Sequence, residues 1–525
     1  MQTRALSHPI RPAADEPLLA MIMAAQASHT LFPPTTDGGQ EAQPQPVVVA
    51  VSGGLDSVVL LHLLAQSAPA WNLALHVAHI DHDLRPASAG DGAFVRALAG
   101  ALGLPFHTVR LDGAALHADS SGLEAAARTA RYRFLCATAN NVTPPPLVPI
   151  VAVAHHAGDQ AETLLLRLVQ GSGLAGLAGM RPVTLLEDTA GGARPVRLVR
   201  PLLAAPRADI LDYARRHGLA WREDESNADS SRARNLLRNT VLPELARLNP
   251  DIAATLARTA TLLAAESDRL LAADEEICRR LRVLADDERI VLQLAGLRAL
   301  TQPARRGVLR VALAGLASAA RELNYGRLDA LATAVGAAGG HTGPHPLPHG
   351  LAWSIVTEFA SGARCLSLHR GDALPIPPPG PWLPADWRAA AGAVELGDVC
   401  TVRVEEWMLT CNTLALSALP LDWQHNTDRW TVYLDRAQVG TPALTVARPG
   451  MKLAPLGMGG RHKQVGDLFT DRKIAQPLRA GWPVLFDEAN GEVLWVCGLA
   501  QSEHARVTAD TRLVWVLNWV RVTGR

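Results

Sequence analysis

Val47-Val48-Val49-Ala50-Val51-Ser52-Gly53-Gly54-Leu55-Asp56-Ser57, with the apolar run Val58 to Leu64 behind it, decides the fold of this chain. Five consecutive small or β-branched apolar residues read as a strand buried on both faces. The glycines read as a tight turn, and the following run reads as a helix that starts at the turn. A strand that turns sharply into a helix points backbone N–H groups and the helix N-terminus at one spot, which suits a phosphate. A Walker A loop is excluded because no lysine follows the glycines.

Outward from this loop, strand and helix patterns alternate from Pro46 to about His217. Strands are expected at Val47–Val51, Leu73–Ile80, Phe106–Leu111, Ile150–Ala154 and Val196–Arg200, with helices between them. Ser121-Gly122-Leu123-Glu124 has the spacing of a capping box and sets the start of one helix. This alternation predicts an α/β, doubly wound parallel sheet that takes its ligand outside the carboxyl ends of the strands. Three polar clusters fall at such ends or on such helices. They are His76 to Pro86, the helical face Glu124, Arg128, Arg131 and Tyr132, and the run His155-His156-Ala157-Gly158-Asp159-Gln160-Ala161-Glu162-Thr163.

From Pro243 to about Gly339 the pattern becomes helical. Leu256, Leu263, Leu270, Ile277 and Leu284 recur every seven residues, which places them on one face of a long helix packed against its neighbours. Proline-rich stretches at 341–350 and 375–384 read as linkers, and Asn490-Gly491 reads as the turn of a β-hairpin in a strand-rich C-terminal segment. The expected domains are an N-terminal extension with linker over 1–46, a catalytic domain over 47–240, a helical domain over 241–340, a β-rich linking segment over 341–440 and a small α+β domain over 441–525.

The SGGLDS loop at Ser52–Ser57 resembles the pyrophosphate loop of the ATP pyrophosphatases. In chain order come His79-x-x-His82-x-Leu84-Arg85, Glu124-x-x-x-Arg128-x-x-Arg131-Tyr132, the His155–Thr163 run, Gly171-Ser172-Gly173-Leu174, Arg200-Pro201-Leu202-Leu203, Asp224-x-Ser226-Asn227, Arg234-Asn235-x-x-Arg238 and, near the end, Arg448-Pro449-Gly450 with Asp467-Leu468-Phe469 and Lys473-Ile474. Together these resemble the tRNA(Ile)-lysidine synthetases over residues 47–335 and 441–525. The resemblance implies that ATP adenylates the C2 oxygen of the wobble cytidine in the isoleucine tRNA with a CAU anticodon, after which free L-lysine displaces AMP. It implies that Ser52, Gly53, Gly54, Leu55, Asp56 and Ser57 hold the phosphates, and that Asp56 and Asp159 meet Mg²⁺. Catalytic roles fall among Asp56, Arg128, Arg131, His155, Asp159 and Glu162, with the division between them left open. Substrate and tRNA contacts fall on His79, Arg85, Glu124, Arg234, Asn235, Arg238, Arg448, Lys452, Lys463 and Lys473, and Arg222 and Arg232 extend the first basic cluster.

The chain departs from the family pattern at Gly158, where an acid is usual, at Asp83, where a glycine is usual, and at Met451. Asp83 is a candidate to replace the missing acid. Sulfur-inserting relatives commonly use active-site cysteines, and none of the six here, at 136, 278, 365, 400, 411 and 497, lies near an expected active-site turn. Amidotransferase-linked relatives need a glutaminase signature, which this sequence lacks. A degenerate RNA-binding relative is argued against by the intact Ser52–Ser57 loop.

Composition agrees with this reading. The 525 residues exceed what one core supports, and Lys+Arg and Asp+Glu each count 50, so an RNA partner must be met by local patches. All three lysines, Lys452, Lys463 and Lys473, fall in one stretch near the C-terminus. The cysteines form no zinc spacing, and no apolar run approaches the ~18 residues of a membrane helix. The expectation is a cytoplasmic enzyme without a membrane partner, with a homodimer left open.

Overall fold

The computed structural model describes residues 16–34, 43–81, 88–111, 113, 122–186, 194–222, 233–317, 323–337, 343–358, 361–384, 393–474 and 476–522. The chain forms two compact units, Met1–Arg269 and Leu270–Arg525.

The first unit is built on a six-stranded sheet made of β1 (Gln45–Ala50), β2 (Leu73–Asp81), β3 (Phe106–Arg110), β4 (Ile150–Ala152), β5 (Val183–Leu186) and β6 (Val196–Val199), in the order β3-β2-β1-β4-β6-β5. All neighbours pair parallel except β5, which pairs antiparallel to β6. Alternate residues of β1 serve opposite faces, as the period of two requires. Val47 and Val49 join one core with α1 (Pro17–His29), α2 (Leu55–Trp71) and α3 (Ser88–Ala101), while Val48 joins Leu135 and Ala139 of α4 (Leu123–Val142) on the other face. Burial on both faces explains the uninterrupted apolar run. The strand order reverses between β1 and β4, so the loops that leave these two strands diverge at one crevice, the usual ligand position in such sheets.

Residues 16–34 are part of this layer instead of an appendage. Leu18, Leu19, Ile22, Leu31 and Phe32 are buried in the same core as β1 and α2. Arg216, at the end of α7 (Arg207–Arg216), makes a bidentate pair with Glu16 at 2.7 and 2.9 Å. No sequence pattern marks the edge strand β5, because Val183–Leu186 is short and antiparallel, outside the β–α alternation.

Beyond the sheet lie α5 (Ala157–Val169), α6 (Leu174–Leu177), α8 (Ala233–Leu236), a π-helical turn at Leu237–Val241, α9 (Leu242–Ala246) and the long α10 (Ile252–Leu281). The heptad reading needs correction. The helix stops at Leu281, so Leu284 belongs to strand β7 (Arg282–Ala285), and Leu270 is exposed. The buried positions are Ala257, Ala260, Ala264, Asp274, Cys278 and Leu281, one residue around the helix from the leucine series in its first half.

In the second unit, β7 joins β8 (Arg289–Gln293), β9 (His345–Leu347), β10 (Leu351–Thr357) and β11 (Arg364–Arg370) in the order β7-β8-β11-β10-β9. Helices α11 (Leu294–Ala299), α12 (Gln302–Leu316) and α13 (Tyr325–Gly336) pack on this sheet. The boundary expected at 340 therefore cuts through one core, because β8 bonds to β11 across about seventy residues. The boundary at 440 behaves alike. Strand β14 (Trp407–Ala415) pairs with β22 (Leu513–Arg521) over nine positions, and β13 (Cys400–Val404) and β15 (Thr431–Asp435) complete that sheet. A second sheet holds β12 (Val394–Glu395), β16 (Pro442–Val446), β19 (Pro483–Asp487), β20 (Val493–Val496) and β21 (Ala500–Gln501). The small ladder β17 (Lys452–Leu453) and β18 (Lys463–Gln464), α14 (Val465–Asp471) and α15 (Gln476–Arg479) complete the unit. The Asn490-Gly491 turn joins β19 to β20 as expected, with Gly491 at φ 74°.

Candidate active site

The loop after β1 is held by its own serines. Ser57 Oγ donates to the Gly54 carbonyl at 2.9 Å and accepts the Ser52 N–H at 3.2 Å, while Gly54 N–H reaches Ser52 Oγ at 3.3 Å. Gly53 sits at φ 93°, a left-handed conformation that favours glycine, and a Cβ there would lie 3.3 Å from Val95 Cγ2 of α3. Gly54 offers no side chain to cap α2, so the first-turn N–H groups of that helix face outward uncapped. Arg222 braces this loop: its N–H donates to the Gly53 carbonyl at 2.9 Å and its Nε to Asp91 at 3.1 Å. Arg222, expected to contact RNA, is thus tied to the loop, while its side chain stays about half exposed.

Across the switch point, β4 leads into the His155–Thr163 run, and each polar residue has a distinct place. His156 is the N-cap of α5: its Nδ1 accepts the Gly158 N–H at 2.9 Å, and Asp159 returns to the His156 N–H at 3.0 Å. With Nδ1 an acceptor, the neutral imidazole carries its proton on Nε2, which lies 3.9 Å from Asp56 Oδ2 and 3.7 Å from Asp159 Oδ2. This arrangement accounts for Gly158, since a Cβ there would stand 2.6 Å from His156 Cε1. The imidazole occupies the room that an acid at 158 would need. Gln160 clamps the Gly171–Gly179 stretch, accepting from the Met180 N–H at 2.8 Å and donating to its carbonyl at 2.9 Å.

Arg238 differs most from expectation. Instead of presenting a free guanidinium to RNA, it bonds Glu162 through Nε at 2.6 Å and Asp159 through a terminal nitrogen at 3.1 Å. It lies in the π-helical turn, whose extra residue shifts the side-chain register of the following turn. Burial alone would lower its pKa, but the hydrogen bond and charge of Glu162, with Asp159, raise it. Arg234, by contrast, has no ion-pair partner among the described residues, and Asn235 flanks it on α8. Burial pushes Asp159 up, yet its neighbours His156 and His155, the His156 N–H and Arg238 together hold it below the usual carboxylate range.

Of the helical face on α4, Arg128 and Arg131 both lie over the Tyr132 ring, at 5.0 and 5.5 Å from its centroid. Burial lowers the pKa of His155 to about 4, outweighing the pull of Asp159, so the ring is neutral at pH 7. His79 donates from Nδ1 to the Val51 carbonyl at 2.9 Å, beside the loop. Arg85, the side chain of Glu124, Asp83, Arg232 and the Asp224–Asn227 stretch lie outside the described residues. In the second unit, Lys463 is paired with Asp471, and Arg448 reaches Thr445 Oγ1 at 3.1 Å. Lys452 is exposed on β17, and Lys473 takes a left-handed φ of 56° just past α14.

Four buried polar atoms without a hydrogen-bond partner fall at this carboxyl edge: Asp56 Oδ1, His79 Nε2, His155 Nδ1 and Arg200 Nε. Buried polar groups are rarely left unpaired, so four together mark a place that awaits a polar ligand. The sequence alone assigns no role to His156 or Arg200. Their signal was present in the adjacent histidine and the Arg-Pro pair, but burial and tautomer are readable only in three dimensions. Among the described residues, no group of three or more His, Cys, Asp or Glu side chains is spaced to hold a metal by itself, and no helix is long and apolar enough to cross a membrane.

Comparison with known proteins agrees with this geometry. The PP-loop domain family matches residues 24–245, and the TilS substrate C-terminal domain family matches residues 443–519. The chain is 34% identical over 515 residues to the tRNA(Ile)-lysidine synthase of Geobacter sulfurreducens, covering 97% of this chain and 98% of that one. It is 36% identical to the enzyme of that name from Symbiobacterium thermophilum, covering 91% and 94%, and 31% identical to that from Dehalococcoides mccartyi, covering 89% and 94%. A phosphate-binding loop and an acidic, arginine-clamped run on either side of one switch point, within similarity that spans both units, place this chain in the tRNA(Ile)-lysidine synthase family.

Proposed function

We propose that this chain joins L-lysine to C2 of the wobble cytidine in the isoleucine tRNA with a CAU anticodon, using ATP. The observation that carries this reading is the juxtaposition of the Ser52–Ser57 loop and the His155–Glu162 run at the β1/β4 crevice, within a chain of this family. In the first step the C2 oxygen of the base attacks the α-phosphorus of ATP, and the bond to the β-phosphate oxygen breaks with its electron pair on pyrophosphate. In the second, a lysine amine attacks C2, the C2–O bond breaks with its electrons on AMP, and the amine gives up a proton. The uncapped N-terminus of α2 and the serine-braced loop support binding of the leaving phosphates.

Mg²⁺ fits Asp56, whose Oδ1 is buried and unpartnered, since this ion takes one or two carboxylates together with substrate phosphates. When bound, it offsets charge on the departing pyrophosphate. Asp159 and Glu162 supply negative charge suited to an ammonium group, and Arg238, about a third exposed, has one terminal nitrogen beyond the two atoms bonded to those acids, a charged donor suited to a carboxylate. Free lysine has both groups, so this trio is assigned to the amino acid. His155, neutral at pH 7 and with its Nδ1 buried and unpartnered, is assigned to the base as a hydrogen-bonding partner. Arg234, Lys452 and Lys473 are left as candidate phosphate contacts.

The test is tRNA-dependent ATP–pyrophosphate exchange, followed by lysine incorporation into a CAU-anticodon transcript. Wild type should do both, and Asp56→Ala should abolish exchange while tRNA affinity stays within a few-fold. Exchange without any tRNA, or no lysine in the product, would refute the reading.

A further inference from the structure

Arg200 follows β6 directly, beside the strand that leads into His155, and its side chain is 5% exposed. One terminal nitrogen donates to the Arg181 carbonyl at 2.6 Å and to Thr184 Oγ1 at 2.9 Å, which straps the edge strand β5 to the sheet. Its Nε–H is buried and has no acceptor. No carboxylate lies within ion-pair distance of this guanidinium among the described residues, although a buried cation without a counterion is costly. Arg128, Arg131 and Arg200 all press on His155, adding positive charge to a ring that burial already keeps neutral. The Tyr132 hydroxyl is a further hydrogen-bonding neighbour of the Arg200 guanidinium.

A strap for β5 would need only the terminal nitrogen. It leaves unexplained why a permanently charged group was kept here with one donor unmet. A neutral base edge would satisfy the donor but leave the buried Arg200 charge without a counterion. A phosphoryl oxyanion satisfies both.

We propose that Arg200 is a catalytic residue whose Nε–H donates to a non-bridging oxygen of the phosphoryl group that is transferred, first as the α-phosphate of ATP and then as the AMP carried by the base. This rests on the reading under Proposed function for the identity of that group. Charge on this phosphate persists through both steps and grows as AMP departs, so one fixed donor serves adenylation and displacement alike. The pyrophosphate half stays with the Ser52–Ser57 loop.

AMP binding to the full chain tests this without depending on lysidine formation. Arg200→Gln should weaken AMP binding at least ten-fold by calorimetry, and Arg200→Lys, which keeps the charge but not the Nε–H, should fall between Arg200→Gln and wild type. Thr184→Val removes one strap contact and should leave AMP affinity within two-fold. In single-turnover adenylation, Arg200→Gln should lose a hundred-fold or more while the tRNA Kd stays within three-fold. AMP affinity unchanged in folded Arg200→Gln would overturn the proposal, as would a loss in Thr184→Val equal to that in Arg200→Gln. If Arg200→Gln does not fold, Arg200→Lys decides, and AMP affinity within two-fold of wild type would overturn it.

Discussion

At the scale of single residues, the catalytic crevice depends on side chains that hold one another. Gly158 shows this most directly. Adding a β-carbon would push the His156 imidazole off the Gly158 N–H, and loss of an N-cap costs about 1 kcal/mol. Gly158→Ala should therefore lower the melting temperature modestly but cut adenylation more, because Nε2 of the same ring lies between Asp56 and Asp159. A stability loss with an unchanged exchange rate would show that His156 only caps the helix. Arg238 supports a second prediction. Since its guanidinium bonds Glu162 and Asp159, Arg238→Ala should raise the lysine KM at least ten-fold and leave the salt dependence of tRNA binding as it is. Arg234→Ala should instead reduce the salt slope by about 0.7–0.9, the share of one phosphate contact. Titrating tRNA binding against salt in both variants separates the two residues.

At the scale of elements, α1, α2 and α7 are joined by a buried polar knot as well as by apolar packing. His62 of α2 meets the Tyr213 hydroxyl of α7 at 2.8 Å, and its ring lies 5.3 Å from that of His217. Burial, with help from His217 and against Glu16, lowers the His62 pKa to about 4, as burial does for His155. Both stay neutral when folded but take up protons when unfolded, near an ordinary pKa of about 6.5. Their stability contribution is full above pH 6.5 and is lost as pH falls from about 6.5 to about 4, on the order of 3 kcal/mol each. Thermal melts between pH 7 and 5 should thus fall less steeply for His62→Gln than for wild type, and equal slopes would remove His62 from the account. Deleting residues 1–32 should be far more damaging. It exposes the partners of Leu18, Ile22, Leu31 and Phe32, each worth roughly 1.5–3 kcal/mol when buried, a sum comparable to the stability of a whole domain. Circular dichroism of the truncated chain should show loss of the cooperative transition.

At the scale of the whole molecule, strand pairing decides where the chain can be cut. Ending it at residue 440 would strip β22 from β14 and β15, and β16 from β12. Such a fragment should aggregate and would not report on RNA docking. Substitution is the better test: Lys452→Ala with Lys473→Ala should weaken tRNA binding and lower the salt slope by roughly two phosphate contacts, with the ATP KM unchanged. Lys463→Ala should do less, because Lys463 already pairs with Asp471.

The Val47–Ser57 stretch by itself determined the strand, the turn and the start of α2, since β-branched runs, glycine freedom and helix N-termini act within a few residues. The order of the motifs likewise made the family legible, and the Asn490-Gly491 hairpin followed from turn chemistry alone. Sequence could not show that residues 17–32 belong to the first core, that β8 pairs with β11, or that β14 pairs with β22, because pairing between distant strands leaves no local pattern in either partner. Nor could it assign Arg238 to two carboxylates rather than to RNA, or leave the Arg200 Nε–H without an acceptor. An arginine has the same chemistry wherever it stands in the sequence. Whether its charge is paired, capped or held open for a substrate depends on which distant groups the fold brings within hydrogen-bonding distance.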